Sequence, residues 1–242
     1  MKRLLFIINP CSGKGRIRNK LLSVLDIFAK RGYRVETYVT QEALDARRKA
    51  VTRGRSADLI VCSGGDGTLN EVVSGMMELK RLPVLGYIPA GSTNDYAASL
   101  GLPRRIENAA RLAAEGKASP VDVGKFGDDR YFVYIAAFGA FTEVSYLTPQ
   151  DKKNLLGHQA YMLEAVKSLM DIRGRQMKIT WEEGELEGEF LFGMVTNTTS
   201  VGGFKGLVSR DVALDDGWFE ALFIRMPKNP LDLSGIVSYL FL

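Results

Sequence analysis

Histidine is nearly absent from this 242-residue chain, which holds one, His158. A single imidazole in a polar stretch reads as an exposed residue. It excludes multi-histidine metal sites and most histidine-based catalysis. Cysteine is almost as scarce. Cys11 and Cys62 stand on separate early elements with no metal-ligand spacing, so they read as packing residues of a reduced compartment. No run of roughly 18 uncharged apolar residues occurs, which excludes a membrane-spanning helix. The first ten residues lack the length and cleavage site of a signal peptide, so none is expected. Repeats, low-complexity segments and basic tracts interleaved with aromatics are also missing, and nucleic acid is therefore not an expected partner.

What is present is an ordinary globular composition, 46% hydrophobic and 25% charged, with a net charge of +4 and a pI near 9.0. That mild excess suits an anionic substrate or an anionic membrane surface. The chain is organised around Asp58 to Asn70. Leu59 to Cys62 form a short apolar run, as in a strand buried on both faces of a parallel sheet. Gly64, Gly65 and Gly67 then surround Asp66, and Thr68 to Lys80 reads as a helix. Strand, glycine turn and helix aim backbone N–H groups at phosphate. The glycines allow positive φ and close approach of an anion, and Thr68 with Glu71 has the spacing of a capping box. Asp66 would repel phosphate unless a cation or a transferable proton lies between them. The alternative is a tight turn whose Asp bonds its own backbone.

The preceding residues give a strand at Leu4 to Ile8, a glycine-containing loop from Asn9 to Gly15, and a helix from Arg16 to Lys30 closed by Gly32. A strand follows at Tyr33 to Thr40, then a basic helix at Ala43 to Gly54. After the central turn come a strand at Pro83 to Ile88, the turn Pro89 to Asp95, and a short helix at Tyr96 to Leu100. Alternating strands and helices predict an α/β, doubly wound N-terminal nucleotide-binding domain over residues 1–120. Its glycine loops lie at the C-terminal ends of parallel strands, where such sheets bind ligands. From Pro120 the pattern changes to hairpins. Val121 to Phe126 pairs with Tyr131 to Val144, and Gln176 to Trp181 pairs with Glu187 to Asn197. A strand at Gly217 to Arg225 follows. Helices are expected at 155–172 and from Leu231. Residues 121–242 thus read as an antiparallel, β-rich, sandwich-like second domain.

Three motifs stand together: Asn9-Pro-Cys-Ser-Gly13, Gly64-Gly-Asp-Gly-Thr68 and Pro89-Ala-Gly-Ser-Thr-Asn-Asp95. With the antiparallel second half, they resemble the diacylglycerol kinase catalytic domain family of bacterial lipid kinases, which includes sphingosine and ceramide kinases. The resemblance spans essentially the whole chain. It implies ATP and Mg²⁺ as cofactors and a lipid hydroxyl as phosphoryl acceptor, with diacylglycerol converted to phosphatidic acid. It also implies a cytoplasmic protein peripherally associated with a membrane, and it leaves a homodimer open. By position, Asn9, Pro10, Cys11, Ser12, Gly13, Thr40 and Ser92 should contact nucleotide. Gly65, Asp66, Gly67, Thr68, Leu69, Asn70 and Glu71 should form the phosphate cradle. No Walker lysine is present, so backbone donors and Mg²⁺ must carry more of the phosphate charge. Asp66 is the candidate for organising the catalytic Mg²⁺. Asp95 either caps its helix or faces the acceptor hydroxyl.

The family pattern also implies a structural Mg²⁺ at Asp216, with the carbonyls of Ala213 and Trp218, and Asp122 linked to it through water. Hard oxygen donors of that kind suit Mg²⁺. An ordinary Asp-Gly turn is the competing reading. Lys153, upstream of Gly157 and Tyr161, also fits the family pattern, or is a solvated helix-start residue. The family's proposed general base, a Glu in an Asp-Gly-Glu-like element, has no counterpart before Leu242, so the sequence is expected to be truncated. Two other readings stay open: an NAD kinase, which shares Gly-Gly-Asp-Gly-Thr, and a nucleotide-binding module without catalysis.

Overall fold

The computed structural model describes residues 1–139, 174–201, 212–229, 232 and 236. The expected helix at 155–172, Lys153, His158 and most of the stretch from Leu231 lie outside the described residues. The chain divides into two compact units, each made of two stretches, where the sequence suggested one cut near Pro120. Met1–Tyr134 joins Asn197–Trp218, and Ile135–Thr196 joins Phe219–Leu242.

The first unit holds four parallel strands, β1 (Lys2–Ile8), β2 (Tyr33–Val39), β3 (Leu59–Gly64) and β4 (Val84–Pro89), in the order β2-β1-β3-β4. Its helices are α1 (Leu21–Lys30), α2 (Asp45–Gly54), α3 (Asp66–Met76), α4 (Asp95–Ser99) and α5 (Ile106–Glu115). Side chains along β1 alternate between two cores, as the two-residue period of a strand requires. Leu5 and Ile7 pack with Ala46, Ala50, Leu69 and Val72 of α2 and α3. Leu4, Phe6 and Ile8 pack with Val24, Phe28, Ile106 and Ala109 of α1 and α5. Both faces are covered, so β3 is buried along its whole length, and the sheet is doubly wound as expected. Each fully buried Leu, Ile or Phe contributes roughly 1.5–3 kcal/mol. Burial also pushes the Cys62 thiol well above its ordinary pKa, which fits a packing residue.

Three local expectations change. Helix α1 begins at Leu21 rather than Arg16, because Arg18–Lys20 forms a separate 3-10 turn and Lys20, at φ −117°, breaks it from α1; ahead of both, Gly13, Lys14 and Gly15 adopt left-handed φ of 48°, 63° and 66°. Helix α3 begins at Asp66 rather than Thr68, with Gly65 as its N-cap and no side-chain cap. Helix α5 was not anticipated, although Ile106, Ala109 and Ala110 carry a helical spacing. Short β5 (Gly124–Phe126) and β6 (Arg130–Phe132) form an antiparallel pair, with Gly127 at φ 67° in the turn.

The second unit holds β7 (Ile135–Gly139), β8 (Arg175–Trp181), β9 (Gly184–Thr196) and β10 (Glu220–Arg225). All their pairings are antiparallel, in the order β10-β9-β7 with β8 also on β9. Trp181 faces Gly184 across a two-residue turn at Glu182 and Glu183, as the hairpin signal predicts. The strand expected from Tyr131 to Val144 is interrupted at Val133 and Tyr134, where the chain passes from the first unit to the second.

Candidate active site

In the strand order β2-β1-β3-β4 the chain changes winding direction between β1 and β3. The loops following those two strands therefore open at the switch point where α/β sheets bind ligands. The loop after β4 joins them, and all three touch through bare backbone. A Cβ added at Gly13 would lie 2.1 Å from the Ala90 carbonyl oxygen, and one at Gly91 would lie 2.6 Å from the Gly65 Cα. The backbone amides of Ala90 and Gly91 both donate to the Gly64 carbonyl (2.8 and 3.2 Å). Asn94, in the left-handed region at φ 57°, closes the third loop by accepting from Gly91 N and donating to Gly91 O, each at 2.8 Å. The three motifs are thus one structure.

The glycines of the central turn serve a different purpose from the one the sequence suggested. Gly64, Gly65 and Gly67 are absent from the positive-φ glycines. Gly64 is needed because a Cβ there would meet the Thr68 side chain at 2.5 Å. Gly65 is crossed by Gly91. Gly67 faces open space, with nothing within 4 Å of a built Cβ. Leu69 N is the first α3 amide to find a carbonyl four residues back, that of Gly65 (3.0 Å). Among the described residues the N–H groups of Gly67 and Thr68 find no acceptor at this uncapped helix start, a ready anion site.

Asp66 sits at that helix start and does something the sequence did not foretell. Its carboxylate accepts the backbone N–H groups of Asp95 (3.1 Å) and Tyr96 (3.2 Å), so it caps α4 from another loop. Burial pushes its pKa above the ordinary value and the Asp95 charge adds to that, against the backbone donors of Tyr96, Asp95 and Asp66 itself. An oxyanion destabilised in this way gains from a nearby cation. Because Asp66 caps α4, Asp95 does not. Asp95 is 5% exposed and is held by hydroxyls, with Ser200 donating to Oδ1 (2.9 Å) and Tyr134 to Oδ2 (2.8 Å). Ser99 in turn bonds Thr198 Oγ1 and accepts from Thr199 N and Oγ1 (3.0 and 3.1 Å), tying residues 197–200 to α4. These hydroxyl residues were missed from sequence. Their only trace there is the polar run Asn197-Thr-Thr-Ser200 at the end of an apolar strand.

The other expected nucleotide contacts divide. Pro10, Cys11, Ser12, Gly13, Thr40 and Ser92 lie in or beside the converging loops, with Ser92 exposed and Thr40 N bonded to Ile8 O (2.9 Å). The Asn9 side chain builds the loop itself, donating to Thr68 Oγ1 (2.9 Å) and accepting from Cys11 N (3.0 Å). That use of Thr68 replaces the expected capping box. Three cradle residues turn elsewhere. Leu69 is in the core, Asn70 accepts from Val133 N (3.3 Å), and Glu71 accepts from Ala46 N (3.2 Å) at the start of α2. Helical geometry causes this, since successive side chains of α3 point about 100° apart.

The 213–218 turn also belongs to the first unit. Asp216 Oδ1 accepts from Trp218 N (2.9 Å), and Asp122 Oδ2 accepts from Gly217 N (2.7 Å). Asp122 N donates to Leu214 O (2.7 Å). Asp216 Oδ2 has no recorded partner among the described residues and is exposed. One free carboxylate oxygen beside the exposed carbonyl-bearing residues Ala213 and Trp218 is a hard-oxygen donor set that fits Mg²⁺. Behind the turn, Asn197 Oδ1 and Tyr96 Oη are buried without partners among the described residues. Burial, then the Asp122 charge, pushes the Tyr96 hydroxyl up to about 12. Among the described residues no cluster of three His, Cys, Asp or Glu side chains could hold a metal.

Residues 3–126 match the family described as diacylglycerol kinase catalytic domain. The chain is similar to the diacylglycerol kinase of Bacillus subtilis (strain 168), 40% identical over 227 residues that cover 93% of this chain and 74% of that protein. It is 37% identical over 238 residues to the diacylglycerol kinase of Staphylococcus aureus (strain MRSA252), covering 98% and 75% of the two chains. The crystal structure of a diacylglycerol kinase from Bacillus anthracis str. Sterne superposes with a TM-score of 0.76 at 26% identity, covering 99% of this chain and 78% of that one.

Proposed function

This chain belongs to the diacylglycerol kinase catalytic domain family, and we propose that it transfers the γ-phosphoryl group of ATP, with Mg²⁺, to the hydroxyl of diacylglycerol to give phosphatidic acid. The observation that carries the reading is the open start of α3, where two N–H groups with no acceptor among the described residues and the Asp66 carboxylate stand where three glycine loops meet. Backbone donors receive phosphate oxygens there, and the absence of a Cβ on Gly67 leaves them room. Asp66 and the 213–218 turn would hold Mg²⁺, which when bound neutralises phosphate charge. Asp66 positions α4 at the same time, so the group that faces the phosphates also places Asp95. Asp95 receives the acceptor hydroxyl and orients it for in-line attack. A bond forms from the lipid oxygen to phosphorus, the bond to the β-phosphate oxygen breaks, and the hydroxyl proton leaves to a base.

Diacylglycerol is confined to the bilayer, so the protein works at a membrane surface. Among the described residues no helix is long and apolar enough to cross one. The basic face of α2 is a poor membrane contact, because its charges are already engaged. Arg47 pairs with Glu78, Arg48 with Glu42 and Asp45, and Arg53 with Glu36. Lys49 lies over the Tyr38 ring.

The test is transfer from γ-labelled ATP, with Mg²⁺, to diacylglycerol in mixed micelles, to NAD⁺, or to water alone. Label in phosphatidic acid is the expected result. Label in the dinucleotide would make the protein an NAD kinase, and ATP binding without transfer to any acceptor would make it a binding module.

A further inference from the structure

The opposite end of the same sheet carries a second concentration of charge that phosphoryl transfer does not use. Arg3 of β1 and Arg34 of β2 are direct neighbours in the parallel register. Their Cα atoms are therefore about 5 Å apart, with both side chains on one face of the sheet. Arg3 shares that face with Leu5, which packs in the α2–α3 core. The end of α2 covers it and adds Arg53. These residues line a cavity of about 360 Å³ together with Leu4, Leu5, Glu36, Ser56 and Ala57. That volume lies in the range of small-molecule sites.

Three guanidinium-bearing residues face one carboxylate in this cavity. Glu36 is engaged with Arg53, at 3.4 Å. No ion pair is recorded for the Arg34 side chain among the described residues. The Asp58 carboxylate gives Arg3 partial compensation, accepting from the Arg3 backbone N–H (2.7 Å) and adding its charge. The backbone groups nearby do not account for the arginines either. The last carbonyls of α2 already accept protein donors, Arg53 O from Ser56 N and Oγ, and Gly54 O from Ala57 N. Two like charges held in register with one acid between three arginines repel each other. An anion with several acceptor oxygens relieves that repulsion and matches paired guanidinium donors.

We propose that this cavity binds a phosphomonoester, about 20 Å along β1 from the glycine loops. One rigid strand joins the two ends, so the site is separate from the phosphoryl-transfer centre. The phosphomonoester could sit on a soluble metabolite or on a lipid headgroup, and the arms of the experiment distinguish these sources.

Full-length protein labelled with ¹⁵N is titrated with glycerol 3-phosphate while the Ser56 and Ala57 amides and the arginine Nε–H signals are followed. Saturable shifts at these positions are expected, weakening with added salt. Arg34→Gln should raise the dissociation constant about fivefold or more, and Arg34→Lys should raise it less, because it keeps charge without the planar fork. Should Arg34→Gln fold poorly, Arg34→Lys still decides the matter through its intermediate affinity. The second arm is flotation with phosphatidylcholine vesicles with and without phosphatidic acid. Binding that requires phosphatidic acid and is lost in Arg34→Gln assigns the headgroup source, whereas saturable glycerol 3-phosphate binding without flotation assigns a soluble one. Unmoved Ser56 and Ala57 signals, or titrations identical in wild type and Arg34→Gln, overturn the proposal whatever the outcome of the kinase assay.

Discussion

The two ends of the parallel sheet address an anion in opposite ways. At the loop end, the carboxylates of Asp66 and Asp95 stand at the meeting point with Lys14 in the first loop, and backbone N–H groups add to the attraction. At the strand-start end, guanidinium groups gather with too few acids to match them. A site that only holds an anion can rely on fixed positive charge. A site that transfers a phosphoryl group must also release its product, so in the proposed mechanism part of its positive charge would arrive with a divalent cation held at Asp66. The loop end is therefore shaped by missing side chains, and the strand-start end by long ones.

The comparison breaks most visibly if charge at the loop end is dispensable. Asp66→Asn keeps the shape of the side chain and removes its charge, so turnover on diacylglycerol should fall by about 10²-fold or more, while Arg34→Gln at the other end should leave turnover unchanged. Retention of more than about a tenth of wild-type turnover by Asp66→Asn, a cost below ~1.4 kcal/mol, contradicts its role.

A smaller effect separates positioning from packing. Tyr134→Phe and Ser200→Ala each remove one hydroxyl from Asp95, worth about 0.5–1.5 kcal/mol. Each should lower kcat roughly three- to tenfold with little change in the KM for ATP. Ser200→Thr should restore most of the loss. If both variants instead change only melting temperature, the hydroxyls hold the fold and not the carboxylate's aim.

Metal dependence comes next. Added Mg²⁺ should raise the melting temperature of the wild-type protein, since ligand bound to the native state stabilises it in proportion to occupancy. Asp216→Ala should abolish the part of that rise contributed by the 213–218 turn. An identical Mg²⁺-dependent rise in the variant returns Asp216 to the role of turn residue.

The smallest effect concerns pH. Burial raises the folded-state pKa of Asp66, so the native state holds its proton more tightly than the unfolded chain does. Stability from this group is then fully present below the ordinary Asp value, near ~3.9, and is lost as pH rises from there through the raised folded value. Urea titrations across that window should show a shallower decline for Asp66→Asn than for wild type. Equal slopes would place the Asp66 carboxylate in a more solvated setting.

Legibility in the sequence followed the range of the interactions. Strands β1 and β3 were readable because each holds a short apolar run buried on both faces, and α2 and the β8–β9 hairpin carried their own periodicity and turn residues. Helix α5 went unread because its buried face is mostly alanine, which gives a weak hydrophobic signal. The start of α1 was misplaced because Arg18–Lys20 takes a separate 3-10 turn ahead of it, which the apolar spacing of Leu21, Leu25 and Phe28 does not reveal. At the site, the three glycine motifs were visible, but what the glycines do was not. Positive φ is a property of one residue, whereas the Gly91–Gly65 contact joins residues 26 positions apart. Asp66 capping α4 across 29 positions, and Ser200 reaching Asp95 across 105, are likewise products of topology.

The central claim is that Asp66 and Asp95 act as one unit, because Asp66 holds the backbone that presents Asp95. A double-mutant cycle in kcat/KM on diacylglycerol, using Asp66→Asn, Asp95→Asn and the pair, tests this directly. The account predicts strong non-additivity, with the double variant losing little beyond the worse single variant. Losses that add to within about 0.5 kcal/mol would show two independent carboxylates and contradict it.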